Sequence, residues 1–586
     1  MQLNTLLSVI GGVLAVSTPS SATIIAPKGD TGLTPAQHSI LQKRFDSYYA
    51  SNNANANKVR GITLGGWLVT EPYITPTLYN YATQLMANST HNTKRYNVFN
   101  SSIIDEYTMC QALGYETAEN ILAQHYDGWI NETDFQQIAE DGFNLVRIPV
   151  GYWAWKQNHS TNAYPEGITF KDPYVGEGLQ LRYLNKAIAW AEKYGLNVWL
   201  DLHGAPGSQN GFDNSGQRNF YDDLDWLRDG TGTWNLTLAI WRSMFDEYLN
   251  SSSAIVGVEV MNEPLSTKID IWDITQAYYD AWRLFSAREN RTANTTFVIH
   301  DAFEGTGHWN LEFNPKYTNV SAPHGVGFNS SSYPLRDSHQ VLVDHHHYEV
   351  FTDWQLANTQ YGRLMDIVNF GDSIAEQELQ YHPAVVGEWS GAITDCAHWL
   401  NGVGVGARYD GSYYKTTEYT TDDKPVGTCY SQNPISQWND TYKRDVRQFI
   451  EAQLATYTAQ TTGWIFWNWK TETAYEWDYT QLKKAGLFPV PLDNYTYFGS
   501  DGKMLADVSA SLSSEAYPYT STKGSSSGSG TNTKTKTKST KSHNGAAGIV
   551  RRGSTAGLDA NAPFYSQTLS FVTVALLGGL IAAQLL

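Results

Sequence analysis

LNVWLDLH (196–203) and IVGVEVMNE (255–263) are two of eight short runs in which β-branched and aromatic residues follow one another almost without a break. Helix-length stretches separate the runs, and near-continuous apolar strands joined by helices predict a parallel sheet covered on both faces. Eight such strands predict an α/β fold, a single closed (β/α)8 TIM barrel. The other six runs are VRGITLGGW (59–67), FNLVRIP (143–149), TFVIHDAF (296–303), QVLVDHHHY (340–348), PAVVGEW (383–389) and GWIFWNW (463–469).

Helical patterns fill the gaps between these runs, as YLNKAIAWAEKYG (183–195) illustrates. Its apolar residues recur at helical spacing on one face: Leu184, Ile188, Ala191 and Tyr194. Gly195 follows as a C-terminal stop just before the next strand. The segment is therefore predicted to be a helix that packs on the sheet.

The composition of the 586-residue chain excludes some functions. Its 40 Lys and Arg against 58 Asp and Glu give a net charge of −18, and the basic excess is confined to residues 521–567, so no nucleic-acid partner is expected for the body. Three Cys are too few for a disulfide-dense scaffold, and their spacing resembles no zinc finger. The 20 Trp and 37 Tyr could stack on the apolar faces of sugars or could equally pack in an ordinary core.

The N-terminal end and the sequons indicate export. LLSVIGGVLAV (6–16) is too short to span a bilayer and precedes small residues, which predicts a cleaved signal peptide over residues 1–22, although no Lys or Arg comes before the apolar run. Twelve Asn-x-Ser/Thr sequons fit a glycosylated, secreted surface. They are Asn88, Asn100, Asn131, Asn158, Asn235, Asn250, Asn290, Asn294, Asn319, Asn329, Asn439 and Asn494.

The C-terminal end changes character at about residue 520. Residues 520–555 are rich in Ser, Thr and Lys, which predicts a disordered, solvated stalk. Residues 556–586 end in an apolar segment with no charged residue after it, which predicts a GPI-attachment signal cleaved near Ser554-Thr555-Ala556 or, with a longer spacer, at Asn544-Gly545-Ala546. A retained single transmembrane anchor is the alternative. Either way the folded body lies outside the membrane, at the cell surface or in the wall.

Polar side chains close most of the predicted strands, at the end of the barrel that carries chemistry in this fold. Glu263 follows the fourth strand, where Pro264 is expected to help hold the loop extended, and Glu388 ends the seventh. Two carboxylates across a site are what glycoside cleavage requires, because one protonates the leaving oxygen while the other attacks or stabilises the anomeric carbon. The pair therefore indicates a glycosidase.

Eight longer motifs follow one another through residues 45–518. They are RGITLGGWLVTEPYITP (60–76), DEYTMCQALG (105–114), VRIPVGYWAW (146–155), LHGAPGSQNGFDNSG (202–216), MNEP (261–264), DHHHYEVF (344–351), GEWSGAITDC (387–396) and FWNWKTE (466–472). Together they resemble fungal exo-β-1,3-glucanases of glycoside hydrolase family 5. The resemblance implies a catalytic barrel over residues 45–518 and a retaining mechanism, with Glu263 as general acid/base and Glu388 as nucleophile.

The resemblance also implies roles for residues around this pair. Asn262 would hold the sugar 2-hydroxyl, and Arg147 would keep Glu388 ionised. Glu71 would bind the hydroxyls of the terminal glucose. The other implied substrate contacts are His203, His346 and Tyr348 around the reacting sugar, Trp467 beneath it, and Phe212 and Phe351 on the leaving side of the chain.

The cysteines and the three consecutive histidines carry separate expectations. In an oxidising compartment Cys396 and Cys429, which flank a Gly-rich loop, are the preferred disulfide among three formal pairings, and Cys110 is then unpaired. Successive strand residues point to opposite faces, so His345–His347 do not predict a metal site. No metal or cofactor is expected. Asp301 and Glu304 are expected to be supporting or loop residues.

The sequence thus favours a monomeric, surface-anchored retaining hydrolase that removes glucose from the non-reducing ends of β-1,3-glucan in a fungal wall. Residues 80–105 look like an enlarged loop beside the entrance, which leaves strict exo action open. Transfer to a sugar hydroxyl, and β-1,6 or β-1,4 linkages, are alternatives on the same site. A non-catalytic protein that binds wall glucan is the alternative from another class.

Overall fold

The computed structural model describes residues 58–87, 103–218, 224–288, 295–314, 341–413 and 425–514. Contacts divide the chain into Met1–Pro518 and Tyr519–Leu586, and all described residues lie in the first unit. The predicted signal peptide, stalk and anchor lie outside the described residues, as do most of the 80–105 loop and the sequons at Asn88, Asn100, Asn290, Asn294, Asn319 and Asn329. The remaining sequon asparagines are exposed: Asn131, Asn158, Asn235, Asn250, Asn439 and Asn494.

The predicted eight-stranded barrel is confirmed. Its strands pair in parallel in sequence order, and the last pairs with the first to close the barrel. Most strands end earlier than the apolar run that predicts them, because the residues that follow form loops over the mouth of the barrel. The strands are β1 (Val59–Thr63), β2 (Leu145–Gly151), β3 (Asn197–Gly204), β4 (Ile255–Glu259), β5 (Thr296–His300), β6 (Val341–His346), β7 (Ala384–Glu388) and β8 (Gly463–Phe466).

Helices connect the strands, and the predicted helix ends where the sequence places its stop. It begins four residues earlier than predicted, at Leu179, and Gly195 closes it with a left-handed φ of 69°. Among the described residues, no helix is long and apolar enough to cross a membrane. The helices are α1 (Pro76–Ala87), α2 (Glu106–Leu113), α3 (Tyr115–Trp129), α4 (Glu132–Glu140), α5 (Leu179–Tyr194), α6 (Thr233–Tyr248), α7 (Ile271–Ser286), α8 (Asp353–Leu356), α9 (Gln360–Gln377), α10 (Asp440–Gln460), α11 (Tyr479–Lys484) and α12 (Ala506–Ser513).

The inside of the barrel has an apolar floor to which each strand contributes one residue. These buried residues form a cluster separate from the core between strands and helices: Val59, Leu145, Trp199, Val256, Val298, Leu342, Val385 and Ile465. Gly257 makes room for the largest of them, since a Cβ there would lie 2.3 Å from the indole of Trp199. The floor closes the barrel below, so polar residues above it are open only toward the carboxyl ends of the strands.

A disulfide ties together the loops between β7 and α10. It joins Cys396 to Cys429, and Cys110 is buried and unpaired. Cys396 packs in one apolar cluster with Tyr73 and Trp467, which follow β1 and β8. The disulfide therefore belongs to the wall of the barrel mouth.

Replacing both Cys396 and Cys429 with serine is expected to lower the free energy of unfolding. The disulfide spans 33 residues in sequence, and closing a loop of that length stabilises by about 3 to 4 kcal/mol. Denaturant titration of the double variant against the oxidised protein measures the effect, with the reduced wild-type protein as control. An unchanged midpoint would contradict the prediction and mean that other contacts fix the loop.

Candidate active site

Arg147 lies inside the barrel, above the apolar floor. β2 continues for four residues past Arg147, whose fully buried side chain points inward. Its Nε donates to Glu259 at 2.8 Å and its Nη1 to Glu388 at 2.5 Å. Its Nη2 donates to Asn262 Oδ1 at 2.7 Å and lies 3.1 Å from Asp201. One guanidinium thus holds three carboxylates and an amide in fixed positions.

Glu388 is the last residue of β7, and its side chain is almost fully buried. One oxygen accepts from Arg147, and the other accepts from the Tyr348 hydroxyl at 2.9 Å. Burial raises the pKa of Glu388, while the charges of His346 and Arg147 oppose the rise. Arg147 therefore favours the ionised form of Glu388, as the resemblance implies. Burial nevertheless keeps the pKa of Glu388 above its ordinary value.

Glu263 lies in a turn beyond β4 that another loop holds in place. Its φ is 47°, in the left-handed region, so the extended conformation expected before Pro264 is wrong. The buried amide Nε2 of Gln209 donates to the carbonyl oxygens of His203 and Asn262, both at 2.8 Å. These bonds hold a strained residue at the mouth of the barrel, where strain of this kind is typical of functional positions.

His346, the last residue of β6, lies between the two predicted catalytic carboxylates. Its Nδ1 is 2.8 Å from Glu263 Oε1 and 3.4 Å from Glu388 Oε2. Because both distances end on one nitrogen, the two oxygens are separated by at most the two distances together, about 6.2 Å. This upper bound includes the separation of about 5 to 5.5 Å that the carboxyl groups of retaining glycosidases have.

The charge of His346 determines how the neighbouring acids ionise. Burial raises the pKa of Glu263, but the hydrogen bond and charge of His346 outweigh burial and lower it overall. Asn214 adds a hydrogen bond to Glu263 at 3.0 Å. Burial lowers the pKa of His346, yet neighbouring carboxylates, Glu388 first, raise it well above its ordinary value. These carboxylates therefore favour the protonated form of His346.

Glu71 and Trp467 line the side of the mouth next to β1 and β8. Glu71 is buried, and its Oε1 has no hydrogen-bond partner among the described residues. Burial raises its pKa well above the ordinary value, and nearby carboxylates, first among them Asp213, add to the rise. The Trp467 indole donates to the Tyr73 hydroxyl at 2.5 Å and stacks on His203 at 5.6 Å. This wall offers a sugar one polar group and one flat apolar face.

Two phenylalanines stand in loops over the mouth. Phe212 follows β3 and Phe351 follows β6, and both are half-buried. The Phe351 ring lies 5.6 Å from Tyr348 and 6.3 Å from Trp477. Their position fits contact with the leaving side of a chain, and the implied clasp stays a prediction.

The consecutive histidines point to different partners. His345 contacts Asp301 and Glu378, both at 2.7 Å, which places Asp301 as a supporting residue outside the catalytic pair. His347 contacts the Tyr457 hydroxyl at 2.7 Å. The alternation of side chains along the strand separates them.

Two sets of described residues place potential metal-ligand atoms within 4.8 Å of one another. The sets are Glu263, His300 and His346, and Glu259, Asp344 and His346. Arg147 lies 2.8 Å from Glu259, and both sets share the protonated His346, so a positive charge already faces each group of acids. We interpret both sets as ion pairs and hydrogen-bonded groups.

Three buried acids beneath the site were not predicted from the sequence. Asp201, Glu259 and Asp344 are completely buried inside the barrel. Their signal is the alternation of the strands, because Asp201 lies two residues before His203 and Asp344 two residues before His346. An Asp-x-His pattern on two strands of a barrel places each acid on the same inward face as a predicted site histidine.

Two carboxylates that contact one histidine nitrogen, at the open end of a parallel barrel and beside aromatic faces, are the site of a glycoside hydrolase. Residues 104–404 match the family Cellulase (glycosyl hydrolase family 5), and the chain belongs to this family.

Its relatives extend over most of the sequence. The chain is 60% identical over 491 residues to glucan 1,3-beta-glucosidase 2 of Saccharomyces cerevisiae, covering 83% of this chain and 85% of that protein. It is 39% identical over 488 residues to glucan 1,3-beta-glucosidase 2 of Candida albicans, covering 81% and 93%. It is 41% identical over 465 residues to glucan 1,3-beta-glucosidase of Kluyveromyces lactis, covering 78% and 93%.

Proposed function

We propose that this chain is a retaining glucan 1,3-β-glucosidase that removes glucose from the non-reducing ends of β-1,3-glucan. The observation that carries the proposal is the contact of Glu263 and Glu388 with one nitrogen of His346, which brings both carboxylates to one site at the mouth of the barrel. The names of the relatives, all glucan 1,3-beta-glucosidases, support the substrate and the linkage.

The reaction proceeds by two displacements. The reactive form carries a proton on Glu263, which the lowered pKa of the free site disfavours, so that proton must be taken up when substrate binds. Glu388 attacks the anomeric carbon, the glycosidic bond breaks, and Glu263 passes its proton to the leaving oxygen. Water then attacks the glycosyl ester, gives its proton to Glu263 and releases Glu388. Asn262 is oriented for this chemistry, because Arg147 binds its Oδ1 and leaves its Nδ2 to donate to the sugar 2-hydroxyl.

Glu71 supports the exo action. Its buried oxygen without a partner suits the hydroxyls of a terminal glucose, which would replace the missing hydrogen bond. We therefore propose that a chain end, rather than an internal segment, enters the site.

Transfer to a sugar hydroxyl is a second candidate function on the same intermediate. The half-buried rings of Phe212 and Phe351 at the mouth favour it, because they would hold a second sugar where the deglycosylating nucleophile enters.

We further propose that the protein is exported, glycosylated and attached to the cell surface as a monomer. The apolar start over residues 1–22, the exposed sequon asparagines and the apolar tail over residues 556–586 support this location. Release from intact cells by a phosphatidylinositol-specific phospholipase would separate a lipid anchor from a retained transmembrane segment.

Laminarin hydrolysis followed by NMR tests the proposed function. Purified protein lacking residues 1–22 and the segment after residue 520 is expected to release β-glucose first, with the α-anomer appearing only by mutarotation. Early α-glucose would contradict retention. Longer products would indicate transfer or endo action, and binding without turnover would favour a non-catalytic wall-binding protein.

A further inference from the structure

Asp344 is a buried acid that the mechanism above does not use. It lies on β6, its side chain is completely buried, and neither of its oxygens has a hydrogen-bond partner among the described residues. A buried carboxylate without a partner is strongly unfavourable unless a positive charge faces it. His346 provides that charge, because its Nε2 lies 3.6 Å from Asp344 Oδ2.

The neighbouring strand makes room for this carboxylate. On β7 the residue before the predicted nucleophile is Gly387, and a Cβ at that position would lie 2.1 Å from both oxygens of Asp344. A larger residue at position 387 would displace Asp344 from His346. The acid is therefore built into the barrel next to Glu388.

His346 faces carboxylates through both of its ring nitrogens. Nδ1 faces Glu263 and Glu388, and Nε2 faces Asp344. A neutral imidazole would direct a lone pair at one of these acids, whereas an imidazolium donates from Nδ1 to Glu263 and turns a positively charged N–H toward Asp344 at 3.6 Å. The geometry thus favours the doubly protonated ring.

The other titratable groups around His346 fit a positive charge at this position. On β5 the ring of His300 lies 4.4 Å away, and burial together with the charges of His346 and Arg147 lowers its pKa well below the ordinary value. On β4 burial raises the pKa of Glu259, which disfavours the charged form of that acid beside His346. Arg147 from β2 and His203 from β3 complete the ring of charged or titratable groups.

We propose that Asp344 is a positioning residue that keeps His346 doubly protonated, so that the charge on His346 keeps Glu388 a carboxylate and its Nδ1–H binds Glu263. Asp344 touches neither sugar nor reacting atoms and acts only through His346. The proposal rests on the proposed hydrolase function for its kinetic consequence, but the protonation state of His346 can be measured without turnover.

The pH profile of kcat/KM for Asp344→Asn tests the proposal. With the carboxylate neutralised, His346 loses its second proton at lower pH, and both Glu388 and Glu263 lose a neighbouring positive charge. Loss of a positive charge raises the pKa of an acid, so both limbs of the profile are expected to move to higher pH, by about 0.5 to 1 unit. Activity on the acidic side then falls by roughly three- to tenfold relative to wild type.

Asp172→Asn is the matched control, because Asp172 is an equally buried acid that pairs with Lys156 at 2.8 Å away from these residues. The Asp172→Asn variant is expected to be less stable than wild type, with both limbs of its kcat/KM profile at the wild-type pH. A profile for Asp344→Asn that is lower at every pH, with limbs within about 0.2 units of wild type, would overturn the proposal. An equal shift in Asp172→Asn would overturn it as well.

Nitrogen-15 NMR of the histidine-labelled wild-type protein tests the charge state even if Asp344→Asn does not fold or the protein turns over no glucan. The His346 signal is identified by its loss in His346→Gln. It is expected to show two protonated nitrogens up to at least pH 8. Loss of a proton near the ordinary histidine pKa of about 6.5 would overturn the proposal, independently of whether the protein is a hydrolase.

Discussion

Replacing Glu388 with glutamine is expected to lower kcat on laminarin by about four to six orders of magnitude, the range that loss of a covalent nucleophile costs in other enzymes. The amide keeps the shape of the side chain and can still bond to Tyr348, but it cannot attack the anomeric carbon. The variant should therefore fold and bind glucan. Initial rates of glucose release, with calorimetric binding of a short β-1,3-glucan, check both expectations.

Glu263→Gln is the matched comparison, because it separates the role of the acid from that of the nucleophile. With laminarin it should also be nearly inactive, since the poor leaving group needs a proton. With dinitrophenyl β-glucoside, whose leaving group needs none, a burst of dinitrophenol should remain. If Glu263→Gln lost activity equally on laminarin and on the dinitrophenyl glucoside, the assignment of the two roles would be wrong. A burst of dinitrophenol from Glu388→Gln would contradict it as well.

Replacing Arg147 with methionine is expected to destabilise the whole barrel and to abolish activity. The buried guanidinium pairs with Asp201, Glu259 and Glu388, and removing one partner of a buried ion pair costs about 3 to 5 kcal/mol because the other charges remain uncompensated. Denaturant unfolding at neutral pH measures the change. The free energy of unfolding of Arg147→Lys should lie between those of wild type and Arg147→Met, since an ammonium keeps the charge but cannot match the forked geometry of the guanidinium.

The pH dependence of the stability lost in Arg147→Met gives a second test. Burial raises the pKa values of Glu259 and Glu388, and without Arg147 this rise is less opposed, so both acids destabilise the folded variant above the unfolded-state pKa of about 4. The difference from wild type should therefore shrink as the pH falls toward 4. A difference that does not change with pH would indicate that Arg147 stabilises by packing alone.

The eight strands were predictable because their signals are local. Each strand is one apolar run, and Glu263 and Glu388 stand at the ends of two such runs, which is why the sequence points to them as candidates. Their catalytic roles stay predictions. The conformation of Glu263 was not predictable from its neighbour Pro264, because Gln209 from another loop holds the turn. Such contacts depend on how the barrel closes.

The same reason explains the missed buried acids. In the sequence Asp344 directly precedes three histidines, and this polar run resembles the end of a strand. Its role depends on the inward face it shares with His346 and on the space left by Gly387 on the next strand. Local patterns place the elements of this protein, whereas the charges that tune its site are fixed by strand closure and register.

The apolar floor closes the inside of the barrel beneath the site, so that substrate and products share one side of the protein. If the enzyme acts on chain ends as proposed, released glucose and the next chain end bind at this same face. Free glucose is then expected to compete with chain ends for the site.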